Sequence, residues 1–195
     1  MLAQLEAGSA VHTAYLGLGS NRGDRAAHLR AAVEALAATP GLRRVEASPV
    51  YESEAHTLRP DEEQPPFLNA VLAVAGGRAP EALLETAHAL EHRAGRRRDE
   101  DRRWQPRPLD VDLLAVGRLT RQTDRLTLPH PRLAERRFVL RPWADLAPDF
   151  VVPPPFGATV RALLAACPDE TALRQTEIRL SAPGDDAAED APEPG

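Results

Sequence analysis

The sequence contains no lysine and a single cysteine, and both scarcities limit its chemistry. All 24 basic residues of the 195-residue chain are arginines. The absence of lysine excludes a lysine nucleophile and a phosphate site built on lysine. Cys167, the single cysteine, excludes an internal disulfide and a cysteine-rich zinc site. This cysteine usage favours a reducing, cytoplasmic location.

Long hydrophobic runs are also missing. No uncharged apolar run approaches the length needed to span a bilayer. The first twelve residues, MLAQLEAGSAVH, have neither a basic n-region nor a long apolar h-region, so we expect no signal peptide. We therefore predict a cytoplasmic protein without a membrane partner.

The negative charge is concentrated at one end of the chain. The formal net charge is -5, and the last fifteen residues hold five acidic residues and no basic one. This stretch has no apolar periodicity, which is typical of a disordered segment. We therefore predict an N-terminal extension over 1–11, one folded domain over 12–180 and a disordered acidic tail over 181–195. Residues 1–180 are formally neutral, which argues against a nucleic-acid partner.

The apolar pattern predicts alternating strands and helices. Strands are indicated at 12–17, 42–51, 67–75 and 111–116, and helices at 25–38 and 80–94. Asp24 is a suitable N-cap for the first helix, and Gly95 ends the second. The order βαββαβ predicts a ferredoxin-like α/β core, with a mixed, mainly antiparallel sheet and helices packed on it. Beyond this core we expect proline-rich loops and a weak helix near 159–166.

Two short motifs permit more than one interpretation. The glycines of GLGSNRG at positions 17, 19 and 23 do not match the spacing of a dinucleotide-binding loop, so a plain tight turn is favoured. In HALEH, His88 and His92 have the i, i+4 spacing of zinc ligands. No third ligand follows, and two exposed helix histidines are the favoured interpretation.

A run of arginines leads directly into a pair of aspartates. Seven arginines fall between positions 93 and 107. A solvated charged loop is the ordinary explanation, but arginine is also the preferred residue for bidentate phosphate binding. Asp110 and Asp112 project from the same side of the predicted strand, and two such charges repel unless a cation lies between them. A solvated edge strand is possible, but hard oxygen ligands beside arginines favour Mg²⁺ with a bound phosphate.

Five stretches occur in an order that is similar to a known family. They are YLGLGSNRGDR, QPPFLNAVLAV, LEHRAGRRR, RWQPRPLDVDLL and LPHPRLAERRFVLRPW. From about position 12 to 149 the chain resembles the 6-hydroxymethyl-7,8-dihydropterin pyrophosphokinase family of folate biosynthesis. The resemblance implies a ferredoxin-like fold. It also implies transfer of diphosphate from ATP to the hydroxymethyl group of a reduced pterin, with release of AMP.

The resemblance also implies a set of site residues. Asp110 and Asp112 would hold two Mg²⁺ ions, and the catalytic residues would be Arg98, Arg107, Asp110 and Asp112. The expected ATP contacts are His88, Glu91, Arg98, Trp104, Arg107, Leu113, Thr127, His130 and Arg136. The expected pterin contacts are Ser53, Phe67, Asn69, Trp104 and Phe138, in which the two phenylalanines stack on the ring and Asn69 reads its hydrogen-bonding edge.

The expected partners are small molecules, ATP and a reduced pterin, bound by a monomer. One alternative of another class stays open. A ferredoxin-like domain with an arginine-rich loop and Trp104 could bind RNA without catalysis. Such a module would show steeply salt-dependent RNA binding and no ATP turnover.

Overall fold

The computed structural model describes residues 11–55, 64–96 and 106–181. The predicted N-terminal extension and acidic tail lie, apart from Val11 and Ser181, outside the described residues. The same holds for positions 97–105, which include Arg98 and Trp104 of the predicted site. The boundaries predicted for the folded domain therefore stay predictions.

The described residues form eight strands, four α-helices and one short 3₁₀ helix. In chain order they are β1 (His12–Ser20), α1 (Arg25–Ala37), β2 (Leu42–Ala47), β3 (Tyr51–Ser53), β4 (Phe67–Gly76), α2 (Pro80–Arg93), β5 (Asp110–Val116), β6 (Arg121–Gln122), β7 (Thr127–Leu128), the 3₁₀ helix (Leu133–Glu135), α3 (Arg137–Leu146), α4 (Val160–Ala165) and β8 (Leu173–Gln175). None of these helices is both long and apolar enough to cross a membrane.

The strand order confirms the ferredoxin-like prediction. The main sheet runs β5-β1-β4-β3-β8, and β2 also pairs with β4. Each pairing in the described part of the chain is antiparallel. The strand predicted at 42–51 is divided into β2 and β3, because Pro49 has no N–H for the ladder. At this break the Ser48 hydroxyl accepts the N–H of Val71 at 2.9 Å.

Two apolar cores lie on opposite faces of the sheet. On one face, alternate β1 residues such as Leu16 pack with Leu29 of α1 and Leu83 of α2. On the other face, Tyr15 packs with Trp143 of α3, with ring centroids 5.1 Å apart. Burial on both faces makes the sheet a rigid platform, so the side chains at its edges are held in defined positions.

Helix α3 corrects the prediction of proline-rich loops after the core. Pro142 lies inside this helix, and an internal proline normally indicates a helix end. Burial of Val139, Leu140 and Trp143 against the sheet outweighs the lost hydrogen bond. This helix matters for the predicted site, because it carries Phe138.

Strand β8 was not predicted, and it extends the sheet beside β3. Thr176 donates its N–H to the carbonyl of Val50 at 2.9 Å. Glu52 of β3 forms ion pairs with Arg174 of β8 and, at 2.9 Å, with Arg25 of α1. The hydrogen bond from Arg174, followed by that from Arg25, outweighs partial burial and lowers the pKa of Glu52 below its ordinary value.

This carboxylate makes stability depend on acid pH. Because the pKa of Glu52 is lower in the folded chain, its stabilisation is complete above the ordinary value of 4.5 and is lost as pH falls through the folded-state pKa. We expect Glu52→Gln to lower the free energy of unfolding by about 1 kcal/mol at pH 7 and by progressively less below pH ~4. Urea unfolding at several pH values measures this difference.

The matched control is Glu46→Gln. Glu46 pairs with Arg44 at 2.6 Å, but both side chains are well exposed, so this substitution is expected to cost little at any pH. An equal loss for both variants, or a Glu52→Gln deficit that persists at low pH, would contradict the role of the ion pairs.

Candidate active site

Asp110 and Asp112 lie together on the exposed side of β5. The side chains of Asp110 and Asp112 are 24% and 36% exposed, whereas Val111 between them is buried. Asp110 accepts hydrogen bonds from Arg96 and, at 2.7 Å, from Arg107. Asp112 accepts one from Arg136 at 3.0 Å. Guanidinium groups therefore compensate both carboxylates in this structure.

The charge on Asp110 is favoured by these partners. Burial raises the pKa of Asp110, but the guanidinium groups of Arg96 and Arg107 outweigh burial and lower it below the ordinary value. The carboxylate is therefore ionised at neutral pH, with its charge compensated by these two guanidinium groups.

Two of the cavities formed by the described residues share this pair of aspartates. The first cavity measures about 370 Å³ and the second about 200 Å³. Both are bordered by Asp110 and Asp112. The predicted residues around the first are Ser53, Phe67, Asn69, Arg107, Arg136 and Phe138. Those around the second are His88, Glu91, Leu113, Thr127 and His130. The structure thus divides the predicted residues between two compartments with one common wall.

In the first cavity a buried amide has a defined orientation. Asn69 of β4 donates its Nδ2 hydrogen to the Ser53 hydroxyl at 2.9 Å, and both residues are less than 6% exposed. Because Nδ2 faces Ser53, Oδ1 lies on the other side of the amide, towards Gly19. Phe67 and Phe138, from β4 and α3, supply aromatic surface to the same cavity.

Gly19 lies between several residues of this cavity. A Cβ at Gly19 would lie 3.7 Å from both Asn69 Oδ1 and the Phe67 ring and 3.8 Å from Asp110 Cβ. A larger side chain would therefore occupy space beside all three groups. The sequence interpretation placed this glycine in a tight turn, but it belongs to β1 and borders the cavity.

In the second cavity Glu91 supports the strand that carries the aspartates. Glu91 is 3% exposed and accepts the N–H of Val111 at 3.0 Å as well as a hydrogen bond from Arg96. The backbone between Asp110 and Asp112 is therefore fixed to the end of α2 by a buried carboxylate.

His130 is held as a neutral imidazole next to the same wall. Its backbone N–H donates to Leu114 of β5 at 2.8 Å, and its Nδ1 accepts the N–H of Arg132 at 3.2 Å. Burial, followed by the nearby Arg136 and Arg132, outweighs Asp112 and lowers the pKa of His130. A neutral ring with an accepting Nδ1 carries its proton on Nε2, which makes Nε2–H a donor.

The structure adds three arginines to the predicted set. Arg132 borders the first cavity, and Arg96 and Arg125 border the second. The sequence showed Arg96 as a member of the arginine run, but its contact with Asp110 depends on how α2 ends beside β5.

The prediction of two exposed histidines on α2 is half correct. His92 is exposed, whereas His88 is half-buried and borders the second cavity.

The donor set is suited to magnesium rather than to zinc. Among the described residues no three His, Cys, Asp or Glu side chains are grouped as a metal site. A pair of carboxylates on one strand face provides two hard oxygen ligands. Mg²⁺ is bound by one or two carboxylates and completes its shell with water and substrate phosphates. The residues present therefore fit a magnesium ion that arrives with a polyphosphate.

Comparison with known proteins identifies the family. Residues 15–148 match the model of the 7,8-dihydro-6-hydroxymethylpterin-pyrophosphokinase family. The chain belongs to this family. It is 47% identical over 152 residues to the 2-amino-4-hydroxy-6-hydroxymethyldihydropteridine pyrophosphokinase of Methylorubrum extorquens, covering 78% of this chain and 91% of that protein. The protein of the same name from Pseudomonas aeruginosa is 41% identical over 160 residues, covering 82% of this chain and 94% of that protein.

Solved structures of the family share the fold. A Plasmodium falciparum HPPK-DHPS crystal structure superimposes with a TM-score of 0.59 at 13% sequence identity. The match covers 80% of this chain, which spans 44% of that longer chain. At this identity the likeness shows the fold alone, and it agrees with the strand order of the main sheet.

Proposed function

We propose that this chain transfers diphosphate from ATP to the hydroxymethyl group of 6-hydroxymethyl-7,8-dihydropterin, with release of AMP. The observation that carries the proposal is the wall shared by the two cavities. An acceptor in one cavity and a triphosphate in the other would meet at Asp110 and Asp112. Family membership and relatives named for this activity support the same reaction.

The first cavity fits the pterin. A flat heteroaromatic ring is best held by stacking on aromatic side chains, which Phe67 and Phe138 provide. A pterin edge presents both donors and acceptors, and the amide of Asn69 can match either. Since the Nδ2 group already bonds to Ser53, we assign the Oδ1 atom of Asn69 to a ring N–H.

The second cavity fits ATP. His130 would donate its Nε2–H to a phosphate oxygen, and Thr127 and Leu113 would line the nucleotide. We assign Arg107 and Arg136 to the triphosphate at the junction of the cavities. Their guanidinium groups are paired with the aspartates in the structure. Bidentate phosphate binding would replace these pairs and place positive charge where negative charge develops.

We assign Asp110 and Asp112 to magnesium bound with the triphosphate, two ions being the number that the family resemblance implies. When bound, magnesium supplies charge neutralisation at the phosphate oxygens and a fixed orientation for them. Asp110 and Asp112 would hold this charge on the rigid edge of β5, between the two cavities.

In the reaction itself the pterin hydroxyl oxygen attacks the β-phosphorus of ATP, the bond from that phosphorus to the oxygen bridging it to the α-phosphate breaks, AMP leaves with that oxygen, and the hydroxyl proton is released. Phosphoryl transfer needs alignment and charge stabilisation more than covalent participation of the protein. Phe67, Phe138 and Asn69 would orient the acceptor, while Arg107 and Arg136 would stabilise the charge spread over the phosphates. No protein nucleophile is required, which agrees with a site without lysine or cysteine.

The decisive experiment mixes the protein with ATP, Mg²⁺ and the reduced pterin alcohol and identifies the nucleotide product by chromatography. We expect AMP in amounts equal to the pterin diphosphate, and no product when magnesium is chelated. Formation of ADP, or no nucleotide product, would contradict the proposal. RNA binding that weakens steeply with salt, without turnover, would instead favour the module without catalysis.

A further inference from the structure

The turn after β1 contains a polar cluster that the proposed reaction does not use. Ser20, the last residue of β1, is 0% exposed, and Asn21 is 1% exposed. Buried polar side chains are costly unless their hydrogen bonds are satisfied. Asn21 and Ser20 do not border either cavity. Any role in the site must therefore act through the residues to which they are hydrogen-bonded.

Asn21 bonds to two distant segments of the chain. Its Oδ1 accepts the N–H of Arg107 at 2.6 Å, and its own N–H donates to the carbonyl of Arg107 at 3.0 Å. Its Nδ2 donates to the carbonyl of Pro65 at 3.2 Å. Ser20 adds a fourth bond, from its hydroxyl to the carbonyl of Pro108 at 2.6 Å.

These partners belong to two segments with different assigned roles. Pro65 lies two residues before Phe67, which borders the first cavity. Arg107 borders the same cavity and bonds to Asp110 at the wall shared with the second cavity, where it is assigned to the triphosphate. Asn21 therefore ties the described residues just before Phe67 to those just before Asp110.

Only an amide satisfies this arrangement. The atom that faces the Arg107 N–H must accept, and the atom that faces the Pro65 carbonyl must donate. Aspartate keeps the acceptor and loses the donor, whereas alanine loses both. The required bonds thus explain an asparagine at this buried position.

We propose that Asn21, with Ser20, is a positioning residue that sets both Arg107, which is assigned to the triphosphate, and the Pro65–Phe67 segment, which is assigned to the pterin. The inference rests on the proposed function and extends it. The two segments are separable by mutation, because among the described residues the Ser20 hydroxyl bonds to the Pro108 carbonyl, next to Arg107, whereas the Nδ2 group of Asn21 bonds to the Pro65 carbonyl. A merely structural cluster would not divide its effects between two substrates.

The test compares four variants in steady-state kinetics with each substrate varied. Ser20→Ala is expected to raise KM for ATP by up to about tenfold, since one hydrogen bond is lost, and to leave KM for the pterin within about twofold. Asn21→Asp is expected to raise KM for the pterin by up to about tenfold and to leave KM for ATP within about twofold. Asn21→Ala loses the side-chain hydrogen bonds to both Arg107 and Pro65. It is expected to lower kcat/KM about a hundredfold, because catalytic groups would be misplaced.

Ser48→Ala is the matched control. Ser48 is a buried serine with its own hydrogen bonds to backbone, at 2.8 and 2.9 Å, and it borders neither of the two cavities. We expect it to lower the melting temperature with unchanged kinetic constants. If Ser20→Ala and Asn21→Asp raise both KM values equally, or behave like Ser48→Ala, the positioning role is wrong.

Amide hydrogen exchange gives a readout that does not depend on turnover. The Arg107 amide should be protected in the wild-type protein and in Asn21→Asp, and should exchange faster in Asn21→Ala. Equal protection in all three proteins would overturn the inference. If the wild-type protein releases no AMP, the proposed function fails, while this exchange pattern still decides whether Asn21 positions Arg107.

Discussion

Replacing Asp112 by asparagine is expected to lower kcat by about a thousandfold and to leave the protein folded. The substitution keeps the size and hydrogen bonding of the side chain but removes its charge. Several kcal/mol of charge stabilisation at the triphosphate would be lost, and each 1.36 kcal/mol corresponds to a factor of ten in rate. Among the described residues Asp112 has one arginine partner, and its side chain is 36% exposed, so its charge contributes little to stability. Single-turnover AMP formation and thermal unfolding measure the two effects.

Asp110→Asn is expected to be equally inactive but less stable. Asp110 pairs with Arg96 and Arg107, and its lowered pKa shows that the folded state favours the charged form. The neutral variant would leave Arg107 without its carboxylate partner and Arg96 with Glu91 alone. Asp112→Asn therefore distinguishes an effect on catalysis from an effect on stability better than Asp110→Asn does.

Asp149→Asn is the control for the change of charge. Asp149 pairs with Arg161 on the surface, where the Asp149 side chain is 81% exposed, and it borders neither cavity. This variant should retain full turnover and its magnesium dependence. A folded Asp112→Asn protein with normal turnover would show that the strand carboxylates take no part in the reaction.

Phe67→Ala is expected to weaken pterin binding by about 1–3 kcal/mol, a factor of roughly 5 to 150, by analogy with bases stacked on aromatic side chains. ATP binding should remain within about twofold, because Phe67 borders only the first cavity. Phe138→Ala should weaken pterin binding similarly. Its ring also lies 5.9 Å from the guanidinium carbon of Arg136, so we expect an additional, smaller loss of ATP affinity. Titration calorimetry with each ligand separately measures both effects.

Phe150→Ala is the matched control for this pair. Phe150 packs against Tyr15, with ring centroids 4.6 Å apart, and borders neither cavity. Its truncation is expected to lower the melting temperature without changing the ratio of the two affinities. If Phe67→Ala reduced both affinities equally, as a folding defect would, the assignment of the first cavity to the pterin would fail.

The sequence alone determined the features that depend on local geometry. Asp24 caps α1 as predicted, because its side chain accepts the N–H of Ala27 within the same turn. Asp110 and Asp112 share a face because the side chains of a strand alternate with a period of two. The strand order also followed from the sequence, since the succession of strands and helices permits few topologies. Family membership rested on motifs that are contiguous in the chain.

Only the tertiary structure decided which residues of different helices and strands contact one another. The family resemblance had paired Phe67 with Phe138, but the packing that brings them to one cavity depends on α3, which was not predicted, since Pro142 indicates a loop until its buried neighbours are known. Arg96 meets Asp110 because the end of α2 lies beside β5. The bonds of Asn21 to Pro65 and Arg107 join three segments that are far apart in the chain. Such contacts depend on how separate elements pack, and no local pattern in the sequence encodes that packing.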